Sequence, residues 1–197
     1  MKKILVLFAH PAFQKSRINK ILIQGIDDME GITFHDLYQA YPEMDIDVKP
    51  EQLLVDEHDV IIFHHPFYWY SAPAMLKEWQ DLVLQHGWAY GSQGESLKDK
   101  MFLQVLTTGG EQKAYCTEGY NRFTIRQLLT PFEQTANLCK MKYLPPFVVY
   151  GTHSINKKEV LKQRNNYMDL LSGLRDEQIN IDDLMTKEYF NDYFIIK

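Results

Sequence analysis

Ile4-Leu5-Val6-Leu7-Phe8-Ala9-His10-Pro11, followed by Ser16-Arg17-Ile18-Asn19, is the stretch that decides how this chain folds. Ile4 to Ala9 are apolar without alternation, the pattern of a strand buried on both faces. Ile18, Ile21, Leu22 and Ile26 then recur near helical spacing, so a helix is expected over Arg17–Met29. A first strand that empties into a helix N-terminus makes an anion site. Unpaired N–H groups and the positive end of the helix dipole face the same point there. Ser16 suits the N-cap, and Asn19, three residues on, can turn back to that spot. The loop carries neither Gly-x-Gly-x-x-Gly nor Gly-x-x-x-x-Gly-Lys-Ser/Thr, so it is neither the usual dinucleotide fingerprint nor a P-loop. What is left is a phosphate held by hydroxyl, amide and backbone groups, as for the tail of a flavin mononucleotide.

Further strand-like runs recur at Ile32–Leu37, Val60–His64, Phe102–Thr107 and Phe147–Tyr150. Helical patterns lie between or after them, at Ala74–Leu84, roughly Asn121–Leu138 and about Lys157–Leu174. Tyr41–Val55 reads as a polar loop plus a short helix. Strands alternating with helices predict an α/β fold with a parallel sheet covered on both faces. Five strands in this arrangement predict the flavodoxin-like doubly wound order 2-1-3-4-5, with ligands past the carboxyl ends of the strands. Residues 1–175 read as one flavin-binding domain. Residues 176–197, acidic at Asp182 and Asp183 and then aromatic, read as an extension packed on the same domain or on a dimer partner.

A chain of 197 residues, 45% hydrophobic and 24% charged, fits one globular domain. A net charge of −5 argues against nonspecific nucleic-acid binding, which needs a basic face. Cys116 and Cys139 are the only cysteines and form no CxxC, so neither a zinc site nor a disulfide framework is expected. The apolar run after Met1-Lys2-Lys3 is short for a signal peptide, and no stretch approaches a membrane span. The chain reads as cytoplasmic.

A second constellation, His64-His65-Pro66-Phe67-Tyr68-Trp69-Tyr70-Ser71-Ala72-Pro73, begins where the third strand ends. Pro66 biases His65 toward extended backbone, and Pro73 suits a helix start. The aromatic loop between them combines an apolar wall with free backbone amides, which a flat heterocycle needs. A surface turn or a dimer contact uses the same residues. Thr107-Thr108-Gly109-Gly110 ends the fourth strand, where paired glycines allow close main-chain approach and N–H groups can stabilise negative charge. His64 and His65 point to opposite faces of a strand and make a poor metal pair. His35, His58, His86 and His153 are scattered and carry no assigned role. Asp45 and Asp47 read as a solvated loop. Ser71 lacks a nucleophile elbow. Cys116, beside Tyr115, reads as a structural thiol.

Together with Gly87-Trp88-Ala89-Tyr90-Gly91 and Leu144-Pro145-Pro146-Phe147, these motifs resemble the NAD(P)H:quinone oxidoreductase family of flavodoxin-like flavoproteins. The similarity is greatest to its small bacterial branch, which includes potassium-efflux ancillary oxidoreductases and general-stress oxidoreductases, and it runs from about Lys3 to Leu174. The resemblance implies that His10 and the segment Ser16, Arg17, Ile18 and Asn19 hold the flavin phosphate. It implies that Pro66, Phe67, Tyr68, Trp69 and Tyr70 meet the isoalloxazine, with Trp69 against the ring, and that Thr107, Thr108, Gly109 and Gly110 approach its pyrimidine side. Tyr115 falls where the family places a tyrosine near the N1–C2 carbonyl, where charge builds on reduction. Family members carry a histidine a few residues on, whereas Tyr120 and Asn121 stand here. Trp88, Tyr90 and Asn121 match a substrate pocket that in relatives lies near a dimer interface.

The function implied is ping-pong transfer of hydride from NAD(P)H through FMN to quinones or similar small electrophiles, by a homodimer. FAD, as in larger relatives, is the other cofactor. Two other readings stay open. One is a flavin-binding regulatory subunit of a glutathione-gated potassium-efflux system, peripheral to the membrane through an antiporter partner. The other is a one-electron flavodoxin, although the loop His10-Pro11-Ala12-Phe13-Gln14-Lys15-Ser16 departs from the Thr/Ser-rich loop of those proteins.

Overall fold

The structure is a computed structural model that describes residues 1–194. Its elements in chain order are β1 (Ile4–Phe8), α1 (Arg17–Leu22), β2 (Ile32–Asp36), α2 (Leu37–Ala40), α3 (Val48–Asp56), β3 (Val60–Pro66), α4 (Ala74–Val83) and β4 (Met101–Thr107). There follow α5 (Ile125–Leu128), α6 (Thr130–Leu138), β5 (Lys142–Tyr143), β6 (Phe147–Val149), α7 (Lys157–Arg175), α8 (Ile181–Leu184) and α9 (Phe190–Tyr193). The strands lie parallel in the order β2-β1-β3-β4-β5, and β6 also pairs with β4. This is the flavodoxin-like doubly wound sheet.

Alternate residues of each strand serve opposite faces of the sheet. Ile4, Val6, Ile62 and Val105 pack with Leu22 of α1 and with Leu170 and Leu171 of α7. Leu5, Leu7, Ile61 and Phe63 pack with Val55 of α3, Trp79 of α4 and Phe132 of α6. Each central strand is buried along its whole length, which is why the strands read as apolar runs rather than alternating ones.

Several expected boundaries differ. The first helix stops at Leu22 instead of Met29. Gly25 follows with a φ of +88°, a left-handed conformation that glycine adopts without cost, and Ile26 reaches the same core from the turns beyond. The helix expected over Asn121–Leu138 begins only at Ile125, where Thr124 and Gln127 form a capping box, and Pro131 sits at the start of the separate α6. Asn121 therefore lies on a loop. The second strand ends at Asp36, whose carboxylate accepts from the amides of Tyr38 and Gln39 and starts α2. The fifth strand is split in two. Tyr143 stands opposite Phe102 and Phe147 opposite Val105, so the edge takes one more residue than its partner. Pro145 and Pro146 occupy that bulge, where neither has an N–H to give the ladder.

The edge of β6 is covered by the C-terminal segment. The Asn191 side chain accepts from the Val148 amide at 2.8 Å and donates to the Val148 carbonyl at 3.1 Å, mimicking a strand partner. Phe190 is fully buried beside it, and its amide donates to the Pro146 carbonyl at 2.9 Å. An edge covered in this way offers no template for further strand pairing.

Candidate functional site

The carboxyl ends of β1, β3, β4 and β6 open into a cleft of about 530 Å³, within the range of small-molecule and cofactor pockets. One wall is the turn after β1 together with α1. Ser16 caps α1, and its hydroxyl accepts from the Asn19 amide at 3.2 Å. The amides of Arg17 and Ile18 open the helix and so have no intrahelical acceptor. His10 is buried at the same wall. Its Nδ1 accepts from the Ala12 amide at 3.2 Å, which assigns the proton to Nε2, and burial holds its pKa below the ordinary value. His10 is therefore a neutral donor. The Ile18 side chain is buried in the core, so this residue offers the cleft its amide.

Asn19, only 2% exposed, braces this wall. Its Nδ2 donates to Ser16 Oγ and to Thr107 Oγ1, both at 3.1 Å. Its Oδ1 accepts from His64 Nε2 at 3.0 Å. The side-chain amide is thus fully engaged, and it fixes two hydroxyls on different elements relative to one another. The Arg17 guanidinium is also engaged. It donates to the carbonyls of Thr152 and Ile155, at 3.2 and 3.0 Å, and ties the loop after β6 to α1.

The opposite wall is the aromatic turn. The Phe67 amide is not free, because it donates to the Thr107 carbonyl at 2.8 Å and extends the β3–β4 ladder by one residue. Tyr68 to Ser71 form a tight turn closed by the Ser71 amide on the Tyr68 carbonyl at 3.0 Å. Trp69 and Tyr70 at its centre have φ of +49° and +62°. Two successive positive φ values are the signature of a type I′ turn, normally built from Asn and Gly. Bulky residues there store strain, and such strain concentrates at ligand sites. Tyr68 and Ser71 pair as an antiparallel bridge across the turn, and the amides of Trp69 and Tyr70 at its centre have no acceptor among the described residues. Pro66, Phe67 and Tyr68 line the cleft. The Trp69 side chain is 92% exposed, and within one chain it does not line the cleft.

The floor is Thr107 to Gly110. The Thr108 amide donates to the Val149 carbonyl, whereas Gly109 and Gly110 keep unpaired amides among the described residues. A Cβ on Gly109 would lie 2.7 Å from His153 Nε2, and one on Gly110 would lie 3.0 Å from the Tyr115 ring. The two glycines thus admit an aromatic ring each, on either side of the turn. Tyr115 is half-buried, with Phe67 and Tyr150 rings 6.1 and 6.0 Å away between centroids. Burial raises its phenol pKa, with a hydrogen bond to Thr108 opposing, so it is a neutral donor at physiological pH. Asn121 Oδ1 accepts from the Tyr70 hydroxyl at 3.3 Å and links the Tyr115 loop to the aromatic turn.

Trp88 and Tyr90 are not brought to this end of the chain's own sheet. α4 runs back from the cleft, and the loop after it lies near the start of β3. There Trp88 Nε1 meets Asp56, the last residue of α3, at 3.5 Å. Four lining residues had no role in the sequence reading, which passed over Thr152, set His153 aside and quoted Ala12 and Lys15 only as part of the loop. Thr152 and His153 follow a strand end directly, the one signal that could have marked them. No group of His, Cys, Asp and Glu able to hold a metal occurs among the described residues. No helix there is long and apolar enough to cross a membrane.

The cleft suits a flat heterocycle with a phosphate tail. It has unpaired amides on two loops, an aromatic wall, and a hydroxyl and two amides at one end. The family model Flavodoxin_2, described as a flavodoxin-like fold, matches residues 2–171. The glutathione-regulated potassium-efflux system ancillary protein KefG of Serratia proteamaculans is 48% identical over 160 residues, which are 81% of this chain and 87% of that protein. The general stress protein 14 of Treponema denticola, solved in complex with FMN, superposes with a TM-score of 0.83 at 34% identity, covering 87% of this chain and 99% of that one. An NADPH-quinone reductase from P. pentosaceus superposes with a TM-score of 0.79 at 32% identity, covering 85% and 96%. The chain belongs to the flavodoxin-like Flavodoxin_2 family.

Proposed function

We propose that this protein is an FMN-dependent NAD(P)H oxidoreductase that reduces quinones or similar small electrophiles in a ping-pong cycle. The observation that carries the proposal is a cleft at the strand ends in which the aromatic residues Phe67 and Tyr68 and the unpaired Gly109 amide stand together with the Ser16–Ile18 start of α1. The FMN complex of a 34% identical relative and the quinone-reductase neighbour support the same reading. FMN, when bound, supplies the two-electron hydride chemistry.

The chain's own groups divide the work. Ser16 Oγ, the Arg17 and Ile18 amides and the His10 Nε2–H hold the phosphate. Asn19 keeps the Ser16 and Thr107 hydroxyls in register. The amides of the aromatic turn and of Gly109 and Gly110 orient the ring edge. Tyr115 donates a hydrogen bond where negative charge develops, without needing to ionise. FMN is favoured over FAD because a 34% identical relative is solved in complex with FMN. Trp88 and Tyr90 lie at the far end of their own sheet, so a homodimer that places them over a partner's cleft completes the substrate pocket.

An anaerobic visible spectrum tests the proposal. A bound flavin that bleaches with NADPH and returns with menadione supports it. A bound flavin that stays oxidised refutes catalysis from NADPH. No flavin after incubation with FMN refutes the cofactor assignment. The similarity to KefG favours one further reading, a regulatory flavoprotein on a potassium antiporter. Co-purification with an antiporter, with transport retained in a variant that binds flavin but no longer reduces quinones and lost in one that no longer binds flavin, would distinguish it.

A further inference from the structure

Tyr115 is the donor placed above at the developing charge, yet it stands on a loop. Between β4 and α5 the described chain makes one short 3-10 turn, Gln112–Ala114, and no other regular element. A donor in a reaction must be held in place, so the groups that fix this ring matter. Gly110 lies beneath it, where a Cβ would stand 3.0 Å from the ring. Phe67 and Tyr150 flank it, with centroids 6.1 and 6.0 Å away. Tyr150 directly follows β6. Its neighbour Gly151 donates its amide to the Gly110 carbonyl at 2.9 Å. The end of β6 is thus tied to the same glycine that Tyr115 covers.

Tyr150 is in turn backed by the C-terminal extension. The Tyr189 ring meets it edge-on, 6.3 Å away between centroids at an interplanar angle of 82°. Tyr189 is only 7% exposed and lies beyond the matched span 2–171. Its backbone is extended, with φ of −127° and ψ of 150°, so Tyr189 and Phe190 turn to opposite faces of the sheet. Phe190 enters the core beside α1 and α7, and Tyr189 enters the core that holds Phe67 and Phe132. The pair is pinned to the β6 edge by the Phe190 amide on the Pro146 carbonyl and by the Asn191 side chain on Val148. The Asp192 carboxylate accepts from the Tyr189 amide at 3.1 Å.

Four rings therefore run in sequence from the extension to the cleft wall: Tyr189, Tyr150, Tyr115 and Phe67. Each separation falls within the range at which aromatic pairs attract one another. Burial raises the phenol pKa of both Tyr150 and Tyr189, so neither brings a charge to Tyr115. What they supply is packing. We infer that Tyr189 is a positioning residue for the flavin reaction, holding the Tyr115 ring in place through Tyr150, so that the C-terminal extension sets how fast bound flavin is reduced; this rests on the reading of Tyr115 as a donor to the flavin. A misplacement of about 1 Å costs a reaction about 100-fold in rate, and loss of a support two rings away is expected to cost about fivefold.

The test is anaerobic stopped-flow reduction of bound FMN by NADPH in the full chain, with folding checked by far-ultraviolet circular dichroism and FMN affinity by fluorescence. Tyr189→Leu should lower the limiting rate about fivefold and leave FMN affinity unchanged. Tyr189→Phe, which keeps the ring, should restore the wild-type rate. Tyr150→Leu, which breaks the middle link, should be at least as slow as Tyr189→Leu. In a Tyr115→Phe background Tyr189→Leu should change nothing further, because no hydroxyl remains to be misplaced. Tyr189→Met carries the same comparisons where Tyr189→Leu does not fold. A folded Tyr189→Leu or Tyr189→Met protein that reduces flavin at the wild-type rate overturns the proposal. So does a rate loss of the same size in the Tyr115→Phe background, or one explained by weaker FMN binding, since either is what a purely structural role produces. Wild-type protein that binds no FMN, or whose bound FMN stays oxidised with NADPH, overturns the flavin reading itself and the role of Tyr189 with it.

Discussion

The turn at Trp69 and Tyr70 invites a direct measurement, because its strain has a calculable size. A non-glycine residue in the left-handed region costs about 1–2 kcal/mol. Trp69 has a φ of +49° and a side chain that is 92% exposed, so little packing offsets that cost within one chain. Trp69→Gly removes the steric penalty and adds back about 0.5–1 kcal/mol of unfolded-state entropy. The net expectation is a gain of about 0.5–1 kcal/mol, which raises Tm by about 1–4 °C for a chain of this length. Trp69→Ala keeps the penalty and removes only exposed surface, so it should fall within about 0.5 kcal/mol of wild type. Thermal unfolding of the flavin-free protein, followed by far-ultraviolet circular dichroism, compares the three. A Trp69→Gly protein that melts below Trp69→Ala would refute the reasoning, since the turn would then carry no left-handed strain at this position. FMN binding to the same proteins separates two roles of the residue. Equal weakening in both variants assigns the loss to the indole, whereas weakening in the glycine variant alone assigns it to the rigidity of the turn.

Asn19→Ala strands the buried His64 Nε2 donor and releases both hydroxyls, so it should destabilise the protein by about 1–3 kcal/mol in urea titrations and weaken FMN more than riboflavin. Unchanged stability would mean that the network is not formed. Tyr115→Phe should keep FMN bound but slow its reduction by NADPH by at least about tenfold in stopped flow; an unchanged rate removes Tyr115 from the mechanism. Burial pulls the pKa of His64 to about 3 and that of His65 to about 4, so both stay neutral in the folded protein. The unfolded chain binds those protons near pH 6.5, so stability is full above that pH and declines as the pH falls below it. The two histidines together predict a loss of about 4 kcal/mol between pH 7.5 and pH 5, and a flat profile from denaturant titrations would refute it.

Local chemistry made most of the fold legible. The buried strands are uninterrupted apolar runs, because a parallel sheet covered on both faces has no polar side to alternate with. Ser16, Pro66, Thr107 and the glycine pair announce strand ends and helix starts for the same reason: each residue type answers a need of the backbone at its own position. Segment ends were less legible. Gly25 and Pro131 divide apolar periodicities that look continuous, and Pro145-Pro146 bulges an edge strand whose register depends on β4.

The sequence by itself determined the sheet order, the family and the loops that build the cleft, since these follow from periodicity and from residues adjacent in the chain. Only the tertiary structure decided which groups remain available. Asn19 and Arg17 read as ligand contacts, but their side chains are engaged by Thr107 and His64, and by the carbonyls of Thr152 and Ile155. His153 read as incidental and stands over Gly109, forty-four positions away in the chain. Trp88 and Tyr90 read as part of a pocket and lie at the other end of their own sheet. A hydrogen bond or ring contact between distant segments exists only once the sheet has brought strand ends together, and no local pattern encodes which partner a polar side chain will find.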